Sequence, residues 1–180
     1  MQDLYSLKNR VNKYDEVRKN TSDYREAWHS ELKEKLMTLL KSTCDQVGLE
    51  TTVEVRDQVK NLEAVVLSLG KTHSGIYEDL ENDMKRQFVR GNGMLVYQQL
   101  FNGKIVVMIM LPFIEGIGEP QPSKMVAIYR PEELQPPFII RHLEEFLRDI
   151  TEWEDYDDDE KQQPQKIGFN VGYNLDDLKE

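Results

Sequence analysis

One cysteine, no apolar run long enough to span a bilayer and no block of basic charge are the first features of this 180-residue chain. Cys44 by itself cannot close an intrachain disulfide. His29, His73 and His142 are scattered singly, so the close His/Cys pairs of a structural zinc site are missing and no metal is expected. The longest apolar run, residues 105–111, has the length of a strand rather than the roughly 20 residues of a membrane span. The first five residues lack the basic stretch and apolar core of a secretory signal, and the predicted compartment is the reducing cytoplasm. Phosphate backbones are bound by clustered Lys and Arg, so direct nucleic-acid binding is not expected either.

What the chain does have is acid, unevenly placed. Of the net charge of −10, residues 151–180 carry −7, from ten Asp and Glu against three Lys, which leaves −3 for the remainder. Hydrophobic residues make up 39% of the chain, enough for one core of this length. The predicted organisation is a single domain over residues 1–151 followed by an acidic tail over 152–180.

Hydrophobic periodicity sets the elements. Leu4, Leu7, Val11, Tyr14 and Val17 recur at spacings of three and four, which puts them on one side of a helix. Asn20, Thr21, Ser22 and Asp23 are cap-type residues, and after them Tyr24, Trp28, Leu32, Leu36, Leu40 and Val47 continue an apolar stripe that Gly48 is placed to end. Two N-terminal helices are therefore predicted, the second one long. Alternation over 51–56, a Val- and Leu-rich run over 62–69 and a third run over 125–129 predict strands. Residues 94–111 predict a hairpin around Asn102-Gly103, a pair suited to a two-residue turn. Because 105–111 is apolar at every position, that strand should be central and covered on both faces. Pro136 and Pro137 suit a helix start, and Phe138, Ile139, Leu143, Phe146, Leu147 and Ile150 then share one face. In the tail, Ile167, Phe169, Val171, Tyr173 and Leu175 alternate with small or polar residues over 167–175, a pattern that can pair as a strand in this chain's sheet or another's.

Catalytic and ligand motifs fail on their own requirements. Gly70-Lys71-Thr72 resembles the end of a phosphate-binding loop, but Val65 stands where the first glycine belongs. Gly116 and Gly118 open a dinucleotide fingerprint that Gln121 breaks. Asp155, Asp157 and Asp159 have the spacing of a calcium loop's opening, with Glu160 in place of its glycine. Lys71, Thr72, His73 and Ser74, read as a loop, are the best local group for chemistry, and His142 with Glu145 reads as a surface ion pair.

The predicted fold is α+β: an antiparallel sheet of about five strands with two N-terminal helices and one C-terminal helix packed on it, and an acidic C-terminal tail. The predicted function is a non-enzymatic, homodimeric protein–protein interaction protein, adaptor or chaperone-like, with no cofactor and another protein as partner. Trp28, Leu32, Leu36, Ile167, Phe169, Val171 and Tyr173 are its candidate interaction surface. In size, charge and element order the chain resembles the small acidic α+β chaperones of bacterial secretion systems, a likeness that implies partner binding. Two alternatives stand beside it: a ligand sensor or enzyme with a cleft near His73 and the 115–122 loop, and an acidic nucleic-acid mimic acting through the tail.

Overall fold

In the computed structural model, which describes residues 4–80 and 84–155, the two N-terminal stripes lie on one rod. Helix α1 (Tyr5–Ala27) runs through a single π turn (Trp28–Leu32) into α2 (Lys33–Val47), a continuous helical stretch of 43 residues. At 1.5 Å per residue it is about 65 Å long. Asn20, Thr21, Ser22 and Asp23 lie inside α1 instead of capping a second helix, and the Thr21 hydroxyl donates back to the Val17 carbonyl at 2.9 Å. No glycine or proline occurs between residues 5 and 47, so nothing in the backbone forces a stop. Gly48 does end the rod as expected: it takes φ +69°, and the Leu49 N–H reaches back to the Cys44 carbonyl at 2.9 Å.

The strands follow as β1 (Thr52–Arg56), β2 (Ala64–Ser68), β3 (Lys71–Asp79), β4 (Lys85–Gly91), β5 (Met94–Gln99), β6 (Ile105–Met110), β7 (Phe113–Ile114) and β8 (Lys124–Tyr129). A short 3-10 turn (Pro131–Glu133) then leads into α3 (Pro136–Glu154). β1, β2, β5, β6 and β8 form, in that order, one five-stranded sheet whose pairings are all antiparallel. β3, β4 and β7 make a second, smaller sheet. The fold is α+β, with one long helix, a C-terminal helix and antiparallel sheets of five and three strands. The small sheet escapes sequence reading because β3 is polar at most positions and exposed along nearly its whole length, so it lacks the alternation that marks a half-buried strand. Residues 167–175 lie outside the described residues.

The core lies between the five-stranded sheet and the two helices α2 and α3. Leu36, Leu40 and Cys44 from α2 and Ile139, Leu143, Phe146 and Ile150 from α3 meet Val65, Leu67, Leu95, Tyr97, Ile105, Val107 and Ile109 from the strands. The opposite face of the sheet carries a second apolar cluster, Ala64, Val66 and Val96 with Met94, Met108 and Met110 packed against it, all of them strand residues. β6 is an inner strand, between the middle strand β5 and the edge strand β8, with Ile105, Val107 and Ile109 facing the helices and Met108 and Met110 in this second cluster.

The β5–β6 hairpin is present, with a longer turn than expected. The Gly103 N–H donates to the Leu100 carbonyl (2.8 Å) and the Leu100 N–H to the Lys104 carbonyl (2.7 Å), so Phe101, Asn102 and Gly103 form the loop. Of these only Gly103 takes a positive φ, +77°. This is the three-residue hairpin loop closed by a left-handed glycine, rather than the two-residue turn in which both residues are left-handed. The loop sits directly on α1: a Cβ at Gly103 would come within 2.8 Å of Tyr24 Cβ and 3.0 Å of the Thr21 carbonyl oxygen. Gly103→Ala therefore meets both backbone strain and a clash, and should destabilise the fold by about 2–4 kcal/mol. Gly48→Ala, where an added Cβ meets nothing within 4 Å, should cost only about 1 kcal/mol. Urea unfolding of the two variants checks the difference.

Candidate interaction surface

The helical rod divides at the β5–β6 turn. C-terminal to it, the stripe is core: Trp28 and Leu36 are completely buried and Leu32 nearly so. N-terminal to it, α1 has no buried residue at all, and Leu4, Leu7, Val11, Tyr14 and Val17 are between 49% and 63% exposed. Trp28, Leu32 and Leu36, expected on an interaction surface, are thus corrected to core positions, because the long helix spends this part of its apolar face on its own sheet. Ile167, Phe169, Val171 and Tyr173 lie outside the described residues. The exposed surface is the first half of the stripe, whose spacing is as legible in sequence as the second. What sequence could not show is where the body stops.

The projecting half carries little to hold it. Lys13 and Glu16 pair at 2.9 Å, and the Arg18 guanidinium lies 5.7 Å from the Tyr14 ring centre, contacts each worth a few tenths of a kcal/mol on an exposed helix. Its first turn contains no acidic residue and Leu4 offers no side-chain cap. A lone helix of this length is marginal in water, so continuity with the docked α2 and burial of the stripe are what can sustain it. Residues 4–19 carry Lys8, Arg10, Lys13, Arg18 and Lys19 against Asp15 and Glu16, a net +3 in a strongly acidic protein.

Where this arm leaves the body, polar groups pin it. Glu63 is buried, accepting from Trp28 Nε1 and from Lys33 Nζ, both at 3.2 Å, with His29 Nδ1 at 3.8 Å. In an α-helix, residues five apart point about 140° away from each other. A π turn, with its i→i+5 bonding, sets them nearly one above the other, which is how Trp28 and Lys33 converge on one carboxylate. Burial pushes the Glu63 pKa up, but the hydrogen bonds from Trp28 and Lys33 outweigh it and hold the carboxyl below its usual range. One strand over, the Arg25 guanidinium donates to the Phe101 carbonyl at 2.8 Å and ties α1 to the hairpin turn. The cluster is an anchor: Trp28 and Lys33 of the rod share one carboxylate oxygen of Glu63, and His29 lies beside the other.

A second polar group is enclosed between α3 and the sheet. His142 is buried, with Nδ1 3.2 Å from the Tyr97 hydroxyl and Nε2 3.0 Å from the Tyr129 hydroxyl. A neutral imidazole has one donor and one acceptor; the arrangement that pairs every buried proton has Tyr97 donating to Nδ1 and Nε2–H donating to Tyr129. Burial, helped by neighbouring Arg141 and opposed by Glu145, lowers the His142 pKa to about 4. The expected surface ion pair of His142 with Glu145 is therefore not formed: Glu145 faces Lys124 at 3.0 Å.

The remaining expected group falls on β3. Lys71, Thr72, His73 and Ser74 are strand residues rather than a loop, so their side chains alternate between faces and do not converge. Thr72 bonds Asn92 at 2.9 Å and Ser74 donates to the Phe88 carbonyl at 2.8 Å. The 115–122 loop does approach this strand, through an ion pair of Lys71 with Glu115, and Gly116 packs beside Phe88. Among the described residues, no group of three or more His, Cys, Asp or Glu is placed to hold a metal ion, and no helix is long and apolar enough to cross a membrane.

No protein-family model, no curated protein and no solved structure matches the chain.

Two outcomes test the anchors. Glu63→Ala strips Trp28 and Lys33 of their shared acceptor and should destabilise the fold by about 2–3 kcal/mol in urea unfolding, with Lys33→Met costing roughly half as much. His142 has its folded pKa lowered, so its contribution is complete above the unfolded value of about 6.5 and is lost as pH falls towards 4. Stability measured at pH 7.5 and pH 5 should drop by about 2 kcal/mol from this residue, and His142→Gln should flatten that part of the profile.

Proposed function

We propose that the protein is a non-enzymatic protein–protein interaction protein, adaptor or chaperone-like, that engages its partner through the exposed stripe of α1. The observation that carries this reading is the arm itself: its apolar residues Leu4, Leu7, Val11, Tyr14 and Val17 are between 49% and 63% exposed, ahead of the point where Thr21, Tyr24 and Arg25 meet the β5–β6 turn. Apolar side chains repeated along one face of a projecting helix are the pattern of helix-mediated recognition, in which anchors three and four residues apart enter a groove or meet another helix. The basic charge around the stripe favours a partner with acidic rims. The second face of the five-stranded sheet adds a softer surface, where Met94, Met108 and Met110 are half-buried and Met125 is largely exposed. Methionine side chains adapt to varied partners, which suits a chaperone-like role.

The test uses the full chain and the variant Val11→Glu/Tyr14→Glu. Because Val11 and Tyr14 are exposed, the variant should unfold within about 0.5 kcal/mol of the native chain. Immobilised native protein should retain a discrete protein in stoichiometric amount, this chain included, that the variant releases. Equal retention by the two, or none by either, would contradict the reading.

A further inference from the structure

We propose that residues 167–175 of this chain's own tail pair with the free edge of β8, laying their apolar face beside Met125 and Ile128 on the methionine side of the five-stranded sheet.

The edge itself is unprotected. A sheet edge offers unpaired N–H and C=O groups, and proteins keep such edges from joining other strands with charge, proline, bulges or a covering segment. β1, at one edge of the large sheet, follows that rule: Thr52, Glu54 and Arg56 alternate along it, and Glu54 and Arg56 pair at 2.9 Å. β8, at the other edge, has one bulge against β6 and little else. Its only charge, Lys124, is turned to α3, where Asp149 and Glu145 accept from it at 2.7 and 3.0 Å. The residues that follow, Met125 to Tyr129, include no charge and no proline.

Register shows which side of this edge is open. Ile128 lies opposite Val106 and Met125 opposite Met108, so both point to the methionine side, where they are 48% and 62% exposed. Val126 and Tyr129 are packed on the helix side. On the methionine side, the row that starts at β8 reads Met125, Met108, Val96, Val66 and Glu54, apolar until the far edge. The apolar surface thus runs out to the β8 edge and, among the described residues, stops there uncovered.

The tail has the matching pattern and starts in the right place. Ile167, Phe169, Val171, Tyr173 and Leu175 alternate with Gly168, Asn170, Gly172 and Asn174, so an extended segment has one large apolar face and one small one. Beside β8 the large face continues the row from Met125 and Ile128, and the small face turns to the side that α3 already occupies. The Lys124–Asp149 pair sets the last turns of α3 beside the first residue of β8. From Asp155 to Ile167 the chain can span up to about 40 Å, against roughly 20 Å for the whole of β8. The segment therefore reaches any point of this edge from its own chain, with the acidic run 157–160 left in the connection. Paired there, the tail closes the sheet, and a foreign strand gains the edge only by displacing it.

Amide hydrogen exchange on the full chain, over a dilution series, tests the pairing. Amides of 168–175 should exchange at least about tenfold more slowly than those of a free peptide of that sequence, at every dilution. Phe169→Asp/Val171→Asp should abolish that protection and speed exchange of the outward amides of β8, with α2 and β5 unchanged. Ile128→Lys, an exposed substitution on the edge itself, should release the tail in the same way. Exchange of 168–175 at the free-peptide rate in the native chain would overturn the proposal. Tail protection that survives Ile128→Lys, or β8 amides indifferent to Phe169→Asp/Val171→Asp, would place the segment elsewhere and overturn it too. Protection that disappears on dilution would assign the strand to a second copy, against pairing within one chain.

Discussion

Everything in this molecule depends on the docking of one apolar helix stripe against one face of a five-stranded sheet. Trp28, Leu32, Leu36, Leu40 and Cys44 place four turns of helix on Val65, Leu67, Leu95 and Tyr97, and α3 completes the layer with Ile139, Phe146 and Ile150. Fully burying each such side chain is worth on the order of 1.5–3 kcal/mol before chain entropy is counted. The stripe is longer than the sheet is wide. Docking its second half therefore leaves the first half in solvent, still helical because the costly first turns of nucleation are already made in α2.

The polar contacts refine what the apolar docking begins. Glu63 accepts from two residues of the rod that the π turn brings together, so register between helix and sheet is specified at the point where the arm departs. Arg25 and the close approach of Gly103 fix the same point from the hairpin. On the other side of the layer, His142 bridges Tyr97 on β5 and Tyr129 on the edge strand β8, which ties α3 to two strands of the sheet. Glu63 and His142 are thus buried polar groups that each hold one element in place against another, whereas the side-chain amide of Gln99, fully buried on β5, has no hydrogen-bond partner among the described residues.

Legibility in the sequence tracked burial. α3 was readable almost to its ends, because its proline start and six apolar residues at helical spacing are both required by one-sided packing. The β5–β6 hairpin was readable for the same reason, although its turn is one residue longer and its glycine is seated on α1, a contact that no local pattern records. β3 was missed because an exposed strand needs no alternation, and β4 because Lys85, Arg86, Gln87 and Arg90 leave it only the short apolar pair Phe88-Val89. The continuity of α1 and α2 was missed because cap-type residues at 20–23 look the same inside a helix as at its start. At the candidate surface, sequence found the whole stripe but assigned Trp28, Leu32 and Leu36 to the outside; only the position of the sheet separates the covered half from the open one. The buried pairing of His142 with two tyrosines distant in sequence left no signal that spacing could reveal.

The central claim is that one continuous rod has two coverings, the chain's own sheet for the apolar face of its second half and another molecule for that of its first. Amide hydrogen exchange resolved along the rod tests it most directly. The account predicts that α2 is protected in the isolated chain, whereas residues 5–20 gain protection when a binding partner is added and lose it when the partner is removed. Exchange in residues 5–20 that stays fast with every added partner would contradict it, as would protection equal to that of α2 in the isolated monomer.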